Sequence, residues 1–149
     1  MDKIKNESNE LDSTLEKKST FKPFLKEKGH SHIVESVVIS PDNKYIISGS
    51  CDGTIKIWDF ETKECLKTLE DSCYVNSLAL SHNGKYIVSG NEDNTIKVWD
   101  FFTGKCLKII KGHFYSVTSV IISPDGKYII SGSNDDTVRI WDIDTGKCL

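Results

Sequence analysis

The sequence predicts an all-β protein of three repeated four-stranded antiparallel sheets, and its internal repeats are the first evidence for that fold class. One 20-residue stretch occurs three times, as Ser40–Asp59, Ser81–Asp100 and Ser123–Asp142. The first and last copies agree at 15 of 20 positions without gaps. Trp58, Trp99 and Trp141 are consequently 41 and 42 residues apart, a spacing typical of stacked structural repeats.

The third copy shows how each repeat divides into strands and turns. Ser116–Ile122 is rich in β-branched residues and predicts a first strand. Ser123–Gly126, with the sequence SPDG, predicts a turn, because Pro fixes φ and Gly tolerates a positive φ. KYIISGS and TVRIWD predict two further strands, and KCL begins a fourth after the turn Asp144–Gly146. The second copy continues its fourth strand as Lys105–Ile110, and no convincing helix follows residue 20.

A single sheet of this kind has two hydrophobic faces. Side chains such as Ile46, Ile55 and Ile57 cannot be covered by turns this short, so neighbouring sheets must cover them. Radial stacking of four-stranded sheets, called blades, around an axis forms a β-propeller. The predicted architecture is therefore three blades of such a propeller.

Three blades fall short of the ~4–8 blades of closed propellers. One alternative is that the chain is a truncated remnant of a longer protein, open at both ends and dependent on a partner. The other alternative is a homodimer in which two copies complete a six-bladed ring head to tail. In that arrangement Phe21–Lys28 of each copy would supply an outer strand to the third blade of the other.

Composition restricts the organisation and the function. Residues 1–20 are polar and predict a disordered tail, whereas residues 21–149 form the repeat region, with repeats at about 29–69, 70–111 and 112–149. The net charge of -3 with mixed signs argues against a nucleic-acid or membrane-surface binder. The polar N-terminus does not resemble a secretory signal, and five cysteines without a CxxC motif favour a reducing compartment. We expect an intracellular, cytoplasmic protein, with the nucleus not excluded.

Several motifs resemble the WD-repeat family. They are GH at Gly29–His30 and Gly112–His113, together with SPDG, SGS, DGT or DDT, and IWD or VWD at fixed offsets. The resemblance covers residues 28–149 approximately. It implies a β-propeller whose members act mostly as rigid, non-catalytic platforms for contacts with other proteins or peptides.

The resemblance also implies a buried hydrogen-bonded set of His, Ser, Asp and Trp in each repeat, which we call the tetrad. The matching residues are His30, Ser48, Asp52 and Trp58, then Ser89, Asp93 and Trp99, then His113, Ser131, Asp135 and Trp141. The His, Ser and Asp of the third repeat could be mistaken for a hydrolase triad. Because the same set recurs with a Trp ten residues after the Ser, the structural interpretation is favoured and no enzyme activity is expected.

The second repeat departs from this pattern because it lacks GH. Asp71 falls near the expected His position, where it cannot play the role of His against Asp93. The sequence therefore predicts an incomplete tetrad and a looser loop in this repeat. Sequence drift is the favoured explanation, and a loop released for binding is the alternative.

The resemblance places partner recognition on the loop before the first strand and on the turn between the second and third strands. The matching residues are Ile33, Glu35, Cys51, Tyr74, Asn76, Glu92, Ser116, Thr118 and Asn134. Two glutamates without Lys or Arg favour a neutral or basic peptide over nucleic acid. The lone histidines His32 and His82 lack ligand spacing, so neither a metal nor a cofactor is predicted.

Overall fold

The computed structural model describes residues 29–149, which form eleven strands in three antiparallel sheets and contain no helix. Blade 1 contains β1 (Val34–Ile39), β2 (Tyr45–Ser50), β3 (Thr54–Asp59) and β4 (Cys65–Glu70). Blade 2 contains β5 (Val75–Leu80), β6 (Tyr86–Asn91), β7 (Ile96–Asp100) and β8 (Cys106–Ile110). Blade 3 contains β9 (Val117–Ile122), β10 (Tyr128–Ser133) and β11 (Val138–Asp142). The predicted tail and the segment 21–28 lie outside the described residues.

Each blade is a meander in which sequential strands pair as neighbours, so the prediction of an all-β stack of antiparallel blades is confirmed. The prediction of four strands is wrong for blade 3, which has three. Cys148 forms only an isolated bridge with Trp141, and the Leu149 N–H donates to the Ile140 carbonyl at 2.9 Å. Two residues can make this contact, but a continuous ladder needs the residues that pair with the remainder of β11.

The turn between the first two strands is built by local side-chain chemistry. The Ser40 hydroxyl donates to Asp42 Oδ1 at 2.6 Å and accepts from the Tyr45 N–H at 2.9 Å. The equivalent turns of blades 2 and 3 repeat this pattern. Asn43, Gly84 and Gly126 have φ of 59°, 68° and 72°, which explains why this position carries Asn or Gly.

The hydrophobic core lies between blades. One cluster joins Ile47, Ile55 and Ile57 of blade 1 to residues of blade 2 that include Leu78 and Trp99. A second cluster joins blade 2 to blade 3 in the same manner. Neither sheet could bury these side chains alone, so the stack is held together by sheet-on-sheet packing.

Glycines permit the close approach of adjacent blades. A Cβ atom on Gly49 would lie 2.5 Å from Val75 Cγ1, and one on Gly90 would lie 2.8 Å from Val117 Cγ1. Polar links add to this packing, because the Leu78 N–H donates to Ser36 Oγ at 2.9 Å and the Val120 N–H donates to Ser77 Oγ at 3.1 Å. Consecutive blades therefore share one repeated docking geometry.

Candidate functional site

The tetrad residues of blade 3 form a continuous hydrogen-bonded chain. Trp141 Nε1–H donates to Ser131 Oγ at 2.8 Å, and Ser131 Oγ lies 2.7 Å from His113 Nε2. His113 Nδ1 lies 2.7 Å from Asp135 Oδ2. Since the carboxylate can only accept, His113 Nδ1 donates to Asp135, and in the neutral imidazole Nε2 then accepts the proton of the serine hydroxyl.

Blade 1 repeats this chain. Trp58 Nε1–H donates to Ser48 Oγ at 2.8 Å, and Ser48 Oγ lies 2.7 Å from His30 Nε2. His30 Nδ1 lies 2.9 Å from Asp52 Oδ2. The arrangement ties the loop before β1 to strands β2 and β3 and to the turn between them.

Hydrogen bonds hold the carboxylates of Asp52 and Asp135 ionised. Burial raises the pKa of Asp52, but hydrogen bonds from the Thr54 hydroxyl, the Ser31 N–H and His30 outweigh it and lower the pKa to about 2. Burial also raises the pKa of Asp135, but hydrogen bonds from donors that include Thr137 and His113 outweigh burial and lower the pKa strongly. The imidazole therefore always meets a charged acceptor near neutral pH.

The geometry of His113, Ser131 and Asp135 matches a hydrolase triad, but its surroundings do not. Ser131 is 1% exposed, and its hydroxyl oxygen already accepts the Trp141 N–H while its proton is directed to His113. A nucleophile must meet a substrate carbonyl, and this hydroxyl is enclosed by its own partners.

Blade 2 differs from the sequence-based expectation of a looser, incomplete tetrad. Asp71 is 2% exposed, and Ser89 Oγ donates to its Oδ2 at 2.8 Å. Trp99 Nε1–H donates to Ser89 Oγ at 3.1 Å, and Lys97 Nζ donates to both Oδ1 and the backbone carbonyl of Asp71. An acidic side chain thus replaces the imidazole directly, because a buried lysine supplies the balancing charge.

Asp93 takes no part in this substitute network. Its Oδ1 accepts from the Thr95 N–H at 3.2 Å and from the Thr95 hydroxyl, and the residue is exposed. Burial raises the pKa of Asp71 above its usual value, although Lys97 and Ser89 act in the opposite direction. The structure therefore brings Ser89 and Trp99 together but leaves Asp93 in the turn.

Lys97 is one residue of this site that the sequence analysis did not identify. The equivalent residues Lys56 and Arg139 are also basic, so a basic residue at this position does not by itself indicate a buried ion pair. Lys56 Nζ donates to the Thr68 hydroxyl at 2.9 Å in an exposed hydrogen bond, and Arg139 donates to the Gly112 carbonyl at 2.8 Å. The available signal was Asp71 at the His position, because a buried carboxylate without an imidazole requires a cation.

The predicted partner-recognition residues gather at one end of the blades, a region we call the loop surface. It consists of Ile33, Glu35, Cys51, Tyr74, Asn76, Glu92, Ser116, Thr118 and Asn134. In each blade the turn residue donates its N–H to the carbonyl of the loop residue. These bonds are Cys51 to Ile33 at 2.9 Å, Glu92 to Tyr74 at 3.0 Å and Asn134 to Ser116 at 3.0 Å.

The side chains of the loop surface are directed by β-bulges. In each blade the register shifts at the second residue of this set, which leaves Glu35, Asn76 and Thr118 without a directly opposed partner. Bulges re-aim side chains, which explains how strand residues reach the loop surface. Thr118 and Glu35 are exposed, whereas Asn76 is half-buried.

Part of the loop surface is occupied by a link between blades 2 and 3. Ser116 Oγ donates to Glu92 Oε2 at 2.7 Å, and Asn76 Nδ2 donates to Ser116 Oγ at 2.9 Å and to the Val117 carbonyl at 3.1 Å. Ser116 is buried. These three polar side chains are fixed in position, so Ser116 offers less to a partner than the sequence suggests.

Between blades 1 and 2 the loop surface contains a groove of about 390 Å³. Its lining includes Glu70, Tyr74 and Glu92 and carries acidic but no basic side chains. Tyr74 is half exposed and stacks on His32 with ring centroids 6.3 Å apart. This combination of carboxylates with an accessible aromatic ring suits a positively charged or amphipathic side chain.

Exposed aromatic residues adjoin the loop surface in blade 3. Phe114 and Tyr115 follow the GH motif and are strongly exposed. Arg139 lies over the Phe114 ring at 5.7 Å from its centroid. Repeat alignment did not single them out, although two consecutive aromatic residues in a loop were a usable signal.

Within residues 29–149, no helix is long and apolar enough to cross a membrane, and no group of three or more His, Cys, Asp or Glu side chains could hold a metal ion.

Comparison with known proteins gives matches to one family. The family described as WD domain, G-beta repeat, matches residues 21–59, 63–100 and 104–142. The ribosome biogenesis protein BOP1 homologue of Drosophila grimshawi is 46% identical over 43 residues, which cover 29% of this chain and 6% of the relative. The homologue of Drosophila melanogaster is 44% identical over the same length.

Two solved structures share the fold. They are described as "Structure of U3-55K" and "Crystal structure of RRP9 WD40 repeats", and each superimposes with a TM-score of 0.78 at 25% identity. The alignment covers 82% of this chain and 39% of each of those chains. The chain thus spans well under half of the solved structures and about one-twentieth of the curated relatives.

Proposed function

The chain belongs to the WD-repeat family, and from this premise we propose that it is a non-catalytic scaffold whose loop surface binds a basic peptide segment of another protein. The observation that carries the proposal is the groove between blades 1 and 2, which combines acidic side chains with the exposed ring of Tyr74. Rigid strands with their side chains committed to the core leave recognition to such loops.

Charge and aromatic contact support a basic ligand. Glu70 and Glu92 attract Lys or Arg, and the Tyr74 ring can contact the aliphatic stem of the same side chain. The acidic groove disfavours a phosphate backbone, so the scaffold is proposed to bind protein in preference to nucleic acid.

The names of the relatives suggest a setting for this scaffold. BOP1 homologues are named as ribosome biogenesis proteins. We therefore offer ribosome assembly as the candidate process, in which the nucleus replaces the cytoplasm as the expected compartment. Fluorescent tagging of the chain in its own cells tests this point, because a signal excluded from the nucleus would contradict it.

Peptide binding can be measured by fluorescence anisotropy. The probes are a Lys/Arg-rich peptide, an Asp/Glu-rich peptide of the same length and a single-stranded RNA. We expect saturable binding of the basic peptide alone, weakened by added salt because the attraction is partly screened. Equal binding of the acidic peptide, or tighter binding of the RNA, would contradict the proposal.

Point variants locate the binding surface. Tyr74→Ala and Glu70→Gln should each weaken the basic peptide several-fold without changing the circular dichroism spectrum. Glu61→Gln is the matched control, because Glu61 is exposed in the turn at the opposite end of blade 1. An equal loss in Glu61→Gln would indicate nonspecific attraction to the negatively charged chain.

A further inference from the structure

The two ends of the blade stack expose apolar side chains. The leading face of blade 1 includes Val37, Ile39 and Phe60, which are 60%, 49% and 44% exposed. The trailing face of blade 3 includes Ile121, Val138 and Ile140, which are 57%, 74% and 45% exposed. Exposed apolar side chains grouped on one face of a sheet mark an interaction surface.

Each end face is the counterpart of a surface that is buried inside the stack. Val37 is equivalent to Leu78 and Val120, which are 5% and 3% exposed. The trailing face follows the same rule, because Val138 and Ile140 are equivalent to Ile55 and Ile57, which are 0% and 3% exposed. The chain therefore carries both halves of one interface, and that interface is already formed twice within it.

Polar side chains at equivalent positions of the three blades form a second repeated contact between blades. Ser36 Oγ accepts the Leu78 N–H and Ser77 Oγ accepts the Val120 N–H, so each blade caps a backbone donor of the next. Ser119 is the third member of this series, and it is exposed. The Val37 N–H of a following blade 1 is the equivalent donor.

Backbone clearance completes the match. Gly49 and Gly90 lie tightly against the next blade, with a Cβ position 2.5 and 2.8 Å from its valines. At Gly132 the corresponding Cβ position meets only Ser119, at 3.9 Å. Blade 3 thus leaves space beside Gly132 for a docked blade, and no blade within residues 29–149 fills that space.

We propose that the occupant is a second copy of this chain, bound head to tail so that the trailing face of each copy packs on the leading face of the other. Both faces come from one sequence and reproduce an interface that the sequence already forms, which favours self-association over an unrelated partner. A head-to-tail interface closes into a ring when the rotation permits it. Two copies give six blades, within the ~4–8 blades of propellers.

The first test is the mass of the purified 149-residue chain, measured by light scattering after size-exclusion chromatography across a micromolar concentration series. The expected mass is twice the 16.8 kDa of one chain. A monomer that exposes its faces to a hydrophobic dye would overturn the proposal. A ladder of larger species would overturn the closed ring.

Blocking variants test the head-to-tail arrangement. Val37→Asp places a charge on the leading face and Val138→Asp places one on the trailing face. Each variant alone should be monomeric, because every interface then contains one blocked face. A mixture of the two should recover a dimer, since one intact pair of faces remains. A dimer formed by either variant alone would show like faces packing together and would overturn the proposal.

Leu107→Asp is the matched control. Leu107 is exposed to a similar degree, but it lies on the edge strand β8 of the central blade. The control should keep the doubled mass. Circular dichroism verifies that each variant is folded, and recovery of the dimer in the mixture provides a second check of folding.

Discussion

Blades 1 and 3 differ from blade 2 in how they end the same hydrogen-bonded chain. In every blade a tryptophan N–H donates a hydrogen bond to a serine hydroxyl, and that hydroxyl donates its own hydrogen bond to an acceptor. In blades 1 and 3 the acceptor is an imidazole held by a carboxylate, whereas in blade 2 it is the carboxylate of Asp71 held by Lys97. The repeats therefore preserve the pairing of buried polar groups and not the identity of the residues.

The two solutions differ in electrostatic cost. A neutral imidazole and a carboxylate bury a single charge, whereas Asp71 and Lys97 bury two charges of opposite sign. Each charge depends on the other for compensation, because removing either partner leaves an isolated ion in a low-dielectric core. Blade 2 should consequently be the more sensitive to single substitutions.

The largest expected effect is that of Lys97→Met. The variant keeps an aliphatic stem of similar length but leaves Asp71 buried without its cation, which should lower the free energy of unfolding by about 3–5 kcal/mol. Urea denaturation measures the loss. The equivalent Lys56→Met in blade 1 is the control and should cost below about 1 kcal/mol, because Lys56 makes only an exposed hydrogen bond.

A double variant separates charge compensation from packing. Replacing both partners by neutral residues, as in Asp71→Asn with Lys97→Met, should recover most of the loss, because no buried charge remains and the amide oxygen can still accept the Ser89 hydroxyl. A double variant as unstable as Lys97→Met alone would indicate that the stem packing of lysine, and not its charge, stabilises blade 2.

Serine substitutions should have the next largest effect. Ser131→Ala leaves the Trp141 N–H and a histidine nitrogen unpaired and should cost about 1–3 kcal/mol. Ser89→Ala should cost more than Ser131→Ala, because it leaves the buried, charged carboxylate of Asp71 without its serine donor. Equal losses in urea denaturation would contradict the distinction between the two networks, and Ser31→Ala, at an exposed position, serves as the control.

The sequence predicts the blades, but it does not predict the hydrogen-bonded network of blade 2. Repeat spacing and turn residues were sufficient for the blades, because strand alternation and turn chemistry are local properties. The substitute network of blade 2 depends on Lys97 crossing to Asp71 over 26 positions, a contact that no local pattern encodes.

Acid should change the contributions of the two kinds of network to stability in opposite directions. Asp52 has a lowered pKa of about 2, so its stabilising contribution is present above the unfolded value of about 3.9 and is lost as the pH falls toward 2. Asp71 has a raised pKa, so its protonation between the raised value and about 3.9 favours the folded state. Acidification therefore removes stability through blades 1 and 3 and not through Asp71.

Variants make this difference measurable. Asp52→Asn should flatten the loss of unfolding free energy between pH 5 and pH 2.5, a window set by about 3.9 and about 2. Asp71→Asn should make that loss steeper, because it removes a carboxyl whose raised pKa opposes the loss. Identical pH profiles for the two variants would show that the carboxylates of the two networks titrate alike.

The smallest expected effect is on chemical reactivity. Only blades 1 and 3 place a histidine between a serine and an aspartate, so only Ser48 and Ser131 could react as hydrolase nucleophiles, whereas Ser89 lacks a histidine neighbour. We expect a fluorophosphonate probe to label none of the three, because each hydroxyl is buried and already holds a tryptophan N–H. Intact-protein mass spectrometry detects the adduct. Labelling that disappears in a folded Ser131→Ala variant would show that the third tetrad is catalytic, and the distinction between the blades would then be one of chemistry.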